Sequence, residues 1–311
     1  MQRRTRLISG LAVLAVSAAI VAPAAGAGDG APPFEPAVLG GQPPNAVVLA
    51  QEDDELAVVL ALAPRPGGLL AVVTVLDYDG TGAGGRSTTV TVTTADGRSI
   101  SADARGGPLG TYQATLATTS PPVSARVSVD GPRSWHRPIA FTLPRSAWPP
   151  QPAGKLMRSV DRAYARLKTL VIHQRLASKP GDAVTTVYRA IAPHTLATED
   201  SSGDATVQIG KHLWGRVGGG TWVASTTTPV QAIKPFWSGI VEDPVLLGSG
   251  RLRGRPVWNL SFAAPQLPAF FRLAVDKQTE RVLDLHMTAA AHFMHHVYGP
   301  FNSKLTITPP K

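Results

Sequence analysis

Residues 270–302 read FFRLAVDKQTERVLDLHMTAAAHFMHHVYGPFN. Apolar runs of strand length flank Asp276-Lys277-Gln278-Thr279, which has turn-forming composition. The stretch predicts two strands, Phe270–Val275 and Val282–Met294, joined by a tight turn there. Successive side chains of a strand point to opposite faces. His292, Met294 and His296 then share one face, with His286 further back on it. Leu283, Leu285, Met287, Ala289, Ala291 and Phe293 share the other. Imidazole and thioether donors on one face suit copper, Cu(I) above all. The same side chains also suit a sheet edge or a core beneath a helix. The apolar face, with its small alanines, suits packing against a helix or walling an apolar cavity.

Working outward, residues 155–170 place Leu156, Val160, Ala163, Leu167 and Leu170 at helical spacing. Strands are predicted at Leu170–Leu176, Ala183–Ile191, Ala205–Ile209, His212–Val217, Thr221–Thr226, Pro256–Ala263 and Lys304–Thr308, and a short helix at Ala232–Ile240. One helix followed by a long antiparallel run predicts an α+β half-barrel over 155–311, a curved sheet packed around the helix. Candidate lining residues for an apolar cavity in it are Leu167, Phe236, Trp237, Phe262, Phe271, Met287 and Phe293. The candidate metal ligands are His292, Met294 and His296.

The N-terminal half reads differently. Segment 45–143 alternates in short runs, Leu56–Leu62, Leu69–Leu76, Thr88–Thr94, Tyr112–Leu116 and Val123–Val129 among them, separated by turns such as Asp96-Gly97. That pattern predicts an all-β, immunoglobulin-like sandwich of about seven strands. Segment 144–154, with Trp148-Pro149-Pro150 and Pro152, reads as a stiff, extended linker. Residues 28–44, rich in Gly, Pro and Ala, read as a flexible leader. Residues 1–27 have the form of an export signal: Arg3, Arg4 and Arg6, an apolar run from Leu7 to Val21, and small residues up to a cleavage position near Ala27. Left uncleaved, the same run would be a short membrane anchor.

Composition narrows the function. The chain of 311 residues has no cysteine, which excludes disulfides, thiolate metal sites and thiol nucleophiles. Its formal charge is +9, three of the positive charges lying in the export segment. Outside that segment no Lys/Arg run exists, so nothing points to nucleic acid. No Gly-x-Ser-x-Gly, His-Glu-x-x-His or phosphate-binding glycine loop is present, and Gly218-Gly219-Gly220 lacks a following Lys-Ser/Thr. The expectation is a protein that binds rather than catalyses.

Several phrases of the C-terminal half resemble the lipoprotein-carrier superfamily of exported proteins, the LolA and LppX type. They are Tyr188-Arg189-Ala190-Ile191-Ala192-Pro193, Gln208-Ile209-Gly210 with Trp214, the Gly218-Gly219-Gly220-Thr221-Trp222 hairpin, and Phe271–Asp276 before Thr279-Glu280-Arg281-Val282-Leu283. The resemblance implies a half-barrel with a helical plug that holds a lipid or similar apolar ligand on its concave face. Segment 45–143 resembles the small YtkA-like immunoglobulin-like module of bacterial CopC/CopD-type copper-resistance fusions. The tail from Met287 through His292, Phe293 and Met294 to Tyr298-Gly299-Pro300-Phe301-Asn302 resembles the soluble C-terminus of such fusions. That likeness implies copper handling in the cell envelope. The chain departs from it in lacking a multi-span membrane domain and an N-terminal histidine after the predicted cleavage. The expected partners are therefore an apolar ligand and an envelope membrane protein, with no cofactor unless Cu(I).

Overall fold

The computed structural model describes residues 42–52, 56–77, 83–106, 110–130, 138–178, 181–264, 269–289 and 292–311. The predicted export segment and nearly all of the leader lie outside the described residues, as does Ala291.

Eight strands build the N-terminal sheet: Val47–Glu52 (β1), Leu56–Arg65 (β2), Gly68–Asp77 (β3), Ser87–Thr94 (β4), Ser99–Gly106 (β5), Thr111–Leu116 (β6), Pro122–Asp130 (β7) and Ile139–Thr142 (β8). Their order is β1-β2-β3-β6-β5-β4-β7-β8, antiparallel throughout. β5 is the corner. It pairs with β4 along most of its length but with β6 only through Arg105 and Gly106. The end strands β1 and β8 come together again, so the sheet folds onto a common core. Alternation explains that core. In β4, Val90 and Val92 point inward while Thr89, Thr91 and Thr93 alternate with them, half-buried.

β2 breaks the alternation, with Leu56 to Ala63 buried without exception. Val58, Leu60 and Leu62 face the N-terminal core, whereas Val59, Ala61 and Ala63 face Ala263 and Phe270 of the second sheet. A strand covered on both faces loses its polar side, which is why this segment reads as a continuous apolar run.

The second sheet has twelve strands. After Gln151–Pro152 (β9) and the single described α-helix Gly154–Ala165 (α1) come Thr169–Ala177 (β10), Ala183–Ile191 (β11), Thr195–Asp200 (β12), Ala205–Ile209 (β13), His212–Arg216 (β14) and Val223–Thr226 (β15). Then follow Glu242–Leu252 (β16), Arg255–Ala264 (β17), Ala269–Asp276 (β18), Val282–Ala289 (β19) and His292–Phe301 (β20). The order is β15-β14-β13-β12-β11-β10-β20-β19-β18-β17-β16-β9, so two antiparallel meanders join where β10 meets β20. α1 lies on one face of this sheet and buries Met157, Val160 and Tyr164 against Leu260, Phe262, Phe271 and Leu273.

Four details differ from the sequence reading. The helix ends at Ala165, not 170, and its buried face is Met157, Val160 and Tyr164. Leu167 packs from the connection and Leu170 from β10. Ala232–Ile240 forms successive turns, because Pro235 supplies no N–H in the middle of the segment. Lys304–Thr308 adds no strand to the sheet. The largest correction concerns Val282–Met294, which is not one strand but the two arms of the β19–β20 hairpin.

That hairpin resets the parity. Leu285 is the Cα partner of His296, Met287 of Met294, and Ala289 of His292. Partners across a pair share a face, so Met287, Leu285 and Ala289 join Met294 and His296 on the concave side. His286 pairs with His295 and Thr288 with Phe293 on the outer side. The expected turn at residues 276–279 is present. Asp276, almost wholly buried, accepts hydrogen bonds from the Thr279 N–H and hydroxyl at 2.7 Å each and from Arg255 Nε at 2.7 Å.

Segment 144–154 is tied into the structure. Ala147 and Trp148 pack on the N-terminal core, Gln151 and Pro152 pair with β16, and the Ser146 hydroxyl donates to the Leu247 carbonyl at 3.1 Å. β16 makes room for it at Gly248, where φ is +124° and a Cβ would collide with Ser146 Oγ. Register shifts on this strand on both sides of Leu246 erase its alternation, and that hid it from the sequence reading.

Candidate functional site

A cavity of about 110 Å³ lies between the concave face of the second sheet, α1 and the irregular segment 231–236. Its walls are largely apolar: Leu170 and Ile172 from β10, Ala190 and Leu196 from β11 and β12, and Ile233 and Phe236 from the segment. Met294 completes the wall from β20. Gln231 and Lys234, both exposed, mark the mouth.

Five polar side chains converge in this apolar setting: Tyr164, Gln174, Tyr188, His296 and Tyr298. Gln174 and His296 are neighbours by register across β10 and β20. His296 Nε2 lies 2.7 Å from Gln174 Oε1 and its Nδ1 lies 3.0 Å from the Tyr298 hydroxyl. The Gln174 oxygen only accepts, so Nε2 carries the proton and Nδ1 accepts from Tyr298. Burial, reinforced by the neighbouring His295, lowers the His296 pKa to about 3, so the ring is neutral. Burial likewise pushes Tyr188 up to about 12 and raises Tyr164 and Tyr298 well above the ordinary phenol value. Apart from Lys234 at the mouth, the cavity is thus lined by neutral groups over a wide pH range. The Tyr164 hydroxyl is buried without a hydrogen-bond partner, as is the neighbouring Trp237 Nε1. An unpaired buried donor of this kind costs about 1–3 kcal/mol, which a ligand acceptor would offset.

The predicted lining residues divide. Phe236 lines the cavity. Leu167, Trp237, Phe262, Phe271 and Met287 are buried in the core around it, with Phe262 and Phe271 stacked at 4.8 Å and Phe236 edge-on to Trp237 at 5.2 Å. Phe293 faces the opposite way, packing with Ala57, Leu76 and Ala177 against the N-terminal sheet. Of the predicted metal ligands, Met294 and His296 line the cavity while His292 stands half-buried at the start of β20. Both ring nitrogens of His296 are engaged by Gln174 and Tyr298, so neither points to a metal.

Sequence reasoning passed over Tyr164, Gln174, Tyr188 and Tyr298. One signal was available: Leu170, Ile172 and Gln174 occupy alternate positions of β10, so a polar amide takes an inward place after two apolar ones. Among the described residues no helix is long and apolar enough to cross a membrane.

Neither a protein-family model nor a curated protein matches this chain. Solved structures similar to part of it include lipoprotein LppX of Mycobacterium tuberculosis, at 9% identity and TM-score 0.40, covering 50% of this chain and 97% of that one. LprF of Mycobacterium bovis is similar at 12% identity and TM-score 0.38, covering 51% and 96%. A LolA superfamily protein of Nitrosomonas europaea is similar at 12% identity and TM-score 0.25, also covering 51% and 96%.

Proposed function

We propose that the protein is an exported, non-catalytic binding protein of the cell envelope. It takes an apolar ligand with one hydrogen-bonding group into the cavity of the α1-backed sheet. The observation that carries this reading is the cavity itself: apolar walls closing on neutral Tyr and Gln side chains, with the Tyr164 hydroxyl still to be satisfied. Among the described residues no Ser, Cys, Asp or Glu lines it, which favours binding over hydrolysis. The space of about 110 Å³ is smaller than usual drug-sized sites of roughly 300–1,000 Å³. It accommodates the end of an acyl chain, and displacement of segment 231–236, which has neither helix nor strand, would admit more. Lys234 at the mouth suits an anionic headgroup. In this reading segment 45–143 is an immunoglobulin-like docking module for an envelope partner, and residues 1–27 direct export.

The test is native mass spectrometry of the protein with analysis of its organic extract, followed by titration with a fluorescent fatty acid. A bound amphiphile is expected. Ile172→Trp, which fills the cavity, should weaken the fluorescent ligand at least tenfold while leaving the melting temperature within a few degrees. A ligand-free preparation that also ignores the fatty acid ends the proposal.

A further inference from the structure

The outer face of the β19–β20 hairpin holds a cluster that plays no part in the cavity. His286 and His295 are Cα partners, and their rings stack at 4.2 Å between centroids with planes 14° apart. Asp284, two residues before His286 on the same face, receives both. His286 Nε2 lies 3.1 Å from its Oδ1 and His295 Nε2 lies 2.9 Å from its Oδ2. One donor atom from each of the three side chains falls within 4.8 Å of the others.

We propose that Asp284, His286 and His295 form a binding site for a divalent cation of the zinc class. Two imidazole nitrogens and one carboxylate oxygen are a donor set for such an ion, and three protein ligands leave a fourth position for water or another group. The antiparallel register fixes the backbone beneath all three residues, so the donors converge without a loop having to fold around the metal. Binding requires only that each Nε2 turn its lone pair to the metal, its proton residing on Nδ1.

The position places the site beside the seam of the two sheets. His286 also lines a second cavity, of about 350 Å³, between β1 of the N-terminal sheet and β18 and β19. Across it stands Glu52 of β1, within 3.3 Å of the Thr288 hydroxyl. A cation on the hairpin would sit at the seam between the two sheets, with Glu52 of the N-terminal sheet lining the same cavity as His286. The opposing charges are Arg253, whose Nη2 lies 3.7 Å from Asp284 Oδ2, and Arg272 and Arg175, the Cα partners of His286 and His295. All three arginines are exposed, where water and salt screen their repulsion of a bound cation.

The experiment is calorimetric titration of the untagged full chain, stripped of metal, with zinc chloride at pH 7.5. One equivalent is expected, with binding weakened at least thirtyfold in His295→Ala and in Asp284→Asn and unchanged in His212→Ala on the distant β14. His295→Gln keeps a donor toward Asp284 and guards against a loss of fold; it should lose zinc equally. Cobalt(II) should give visible bands of four-coordinate character in the wild type and none in His286→Ala. Absence of saturable binding, or wild-type affinity in Asp284→Asn and His295→Ala, overturns the site.

Discussion

His295 and His296 are neighbours in the chain and occupy opposite worlds. His296 looks into the concave side of the sheet, is nearly wholly buried, and is neutral between Gln174 and Tyr298. His295 looks outward, is about one-third exposed, and meets a carboxylate. The contrast extends along the hairpin. Leu285, Met287 and Met294 fill the core while Asp284, His286 and His295 gather at the surface. One residue of parity, rather than residue type, decides which histidine belongs to a ligand cavity and which to a charged cluster.

The sharpest way to break this comparison is to truncate adjacent residues of β19. Leu285 is fully buried between α1 and the sheet. Leu285→Ala should cost about 3 kcal/mol, the usual cost of a core Leu cavity, read from the urea midpoint. His286→Ala, one position on, should cost about 0.5 kcal/mol, in line with exposed polar sites. Equal losses would mean that the two faces are not distinct.

Acid titration sharpens the comparison further. The His296 pKa falls from 6.5 to about 3 on folding. The unfolded chain therefore binds a proton at His296 below pH 6.5 that the folded chain refuses. Stability from this residue is complete above pH 6.5, declines as the pH falls, and levels off below about 3. Between pH 7 and pH 4 the loss is about 3 kcal/mol. His296→Gln removes the titrating group, so its melting temperature should fall less over that interval than the wild type's. Parallel curves for the two proteins would show that His296 is not held neutral.

Much of the fold could be read because each strand signal was local. Ala183–Ile191 and Ala205–Ile209 form at their expected bounds, and the turn after Val275 follows from the capping power of Asp276. What could not be read was set at long range. The run Ala289-Ala290-Ala291-His292 carries no Gly, Pro or Asn to announce a hairpin, so two strands looked like one and every face assignment beyond it was inverted. The register shifts of β16 exist because the segment around Ser146 packs on Gly248, a contact about a hundred residues away in sequence. The candidate cavity shows the same division. Phe236 stands out in the sequence as a large apolar residue of an expected short helix, but the inward tyrosines are recognisable only once α1 and β20 are side by side.

The smaller of the two pH-dependent effects lies on the outer face and tests whether it titrates separately from the inner one. Burial works against the Asp284 charge, but hydrogen bonds from His286 and His295 overcome it and hold the carboxyl at about 2, below the ordinary 3.8. A depressed carboxyl pKa contributes stability above the unfolded value, and that contribution is lost as the pH falls from 3.8 through 2. Asp284→Asn should therefore cost about 1 kcal/mol at pH 7, allowing for solvent screening at this partly exposed cluster. The cost should hold constant from pH 7 to about 5 and shrink toward zero near pH 2. The His296 effect begins higher, at pH 6.5, so the difference curves of Asp284→Asn and His296→Gln against wild type should bend in separate windows. If both bend together near pH 6, the carboxylate and the buried imidazole are coupled through the sheet, and the two faces of the hairpin act as one electrostatic unit.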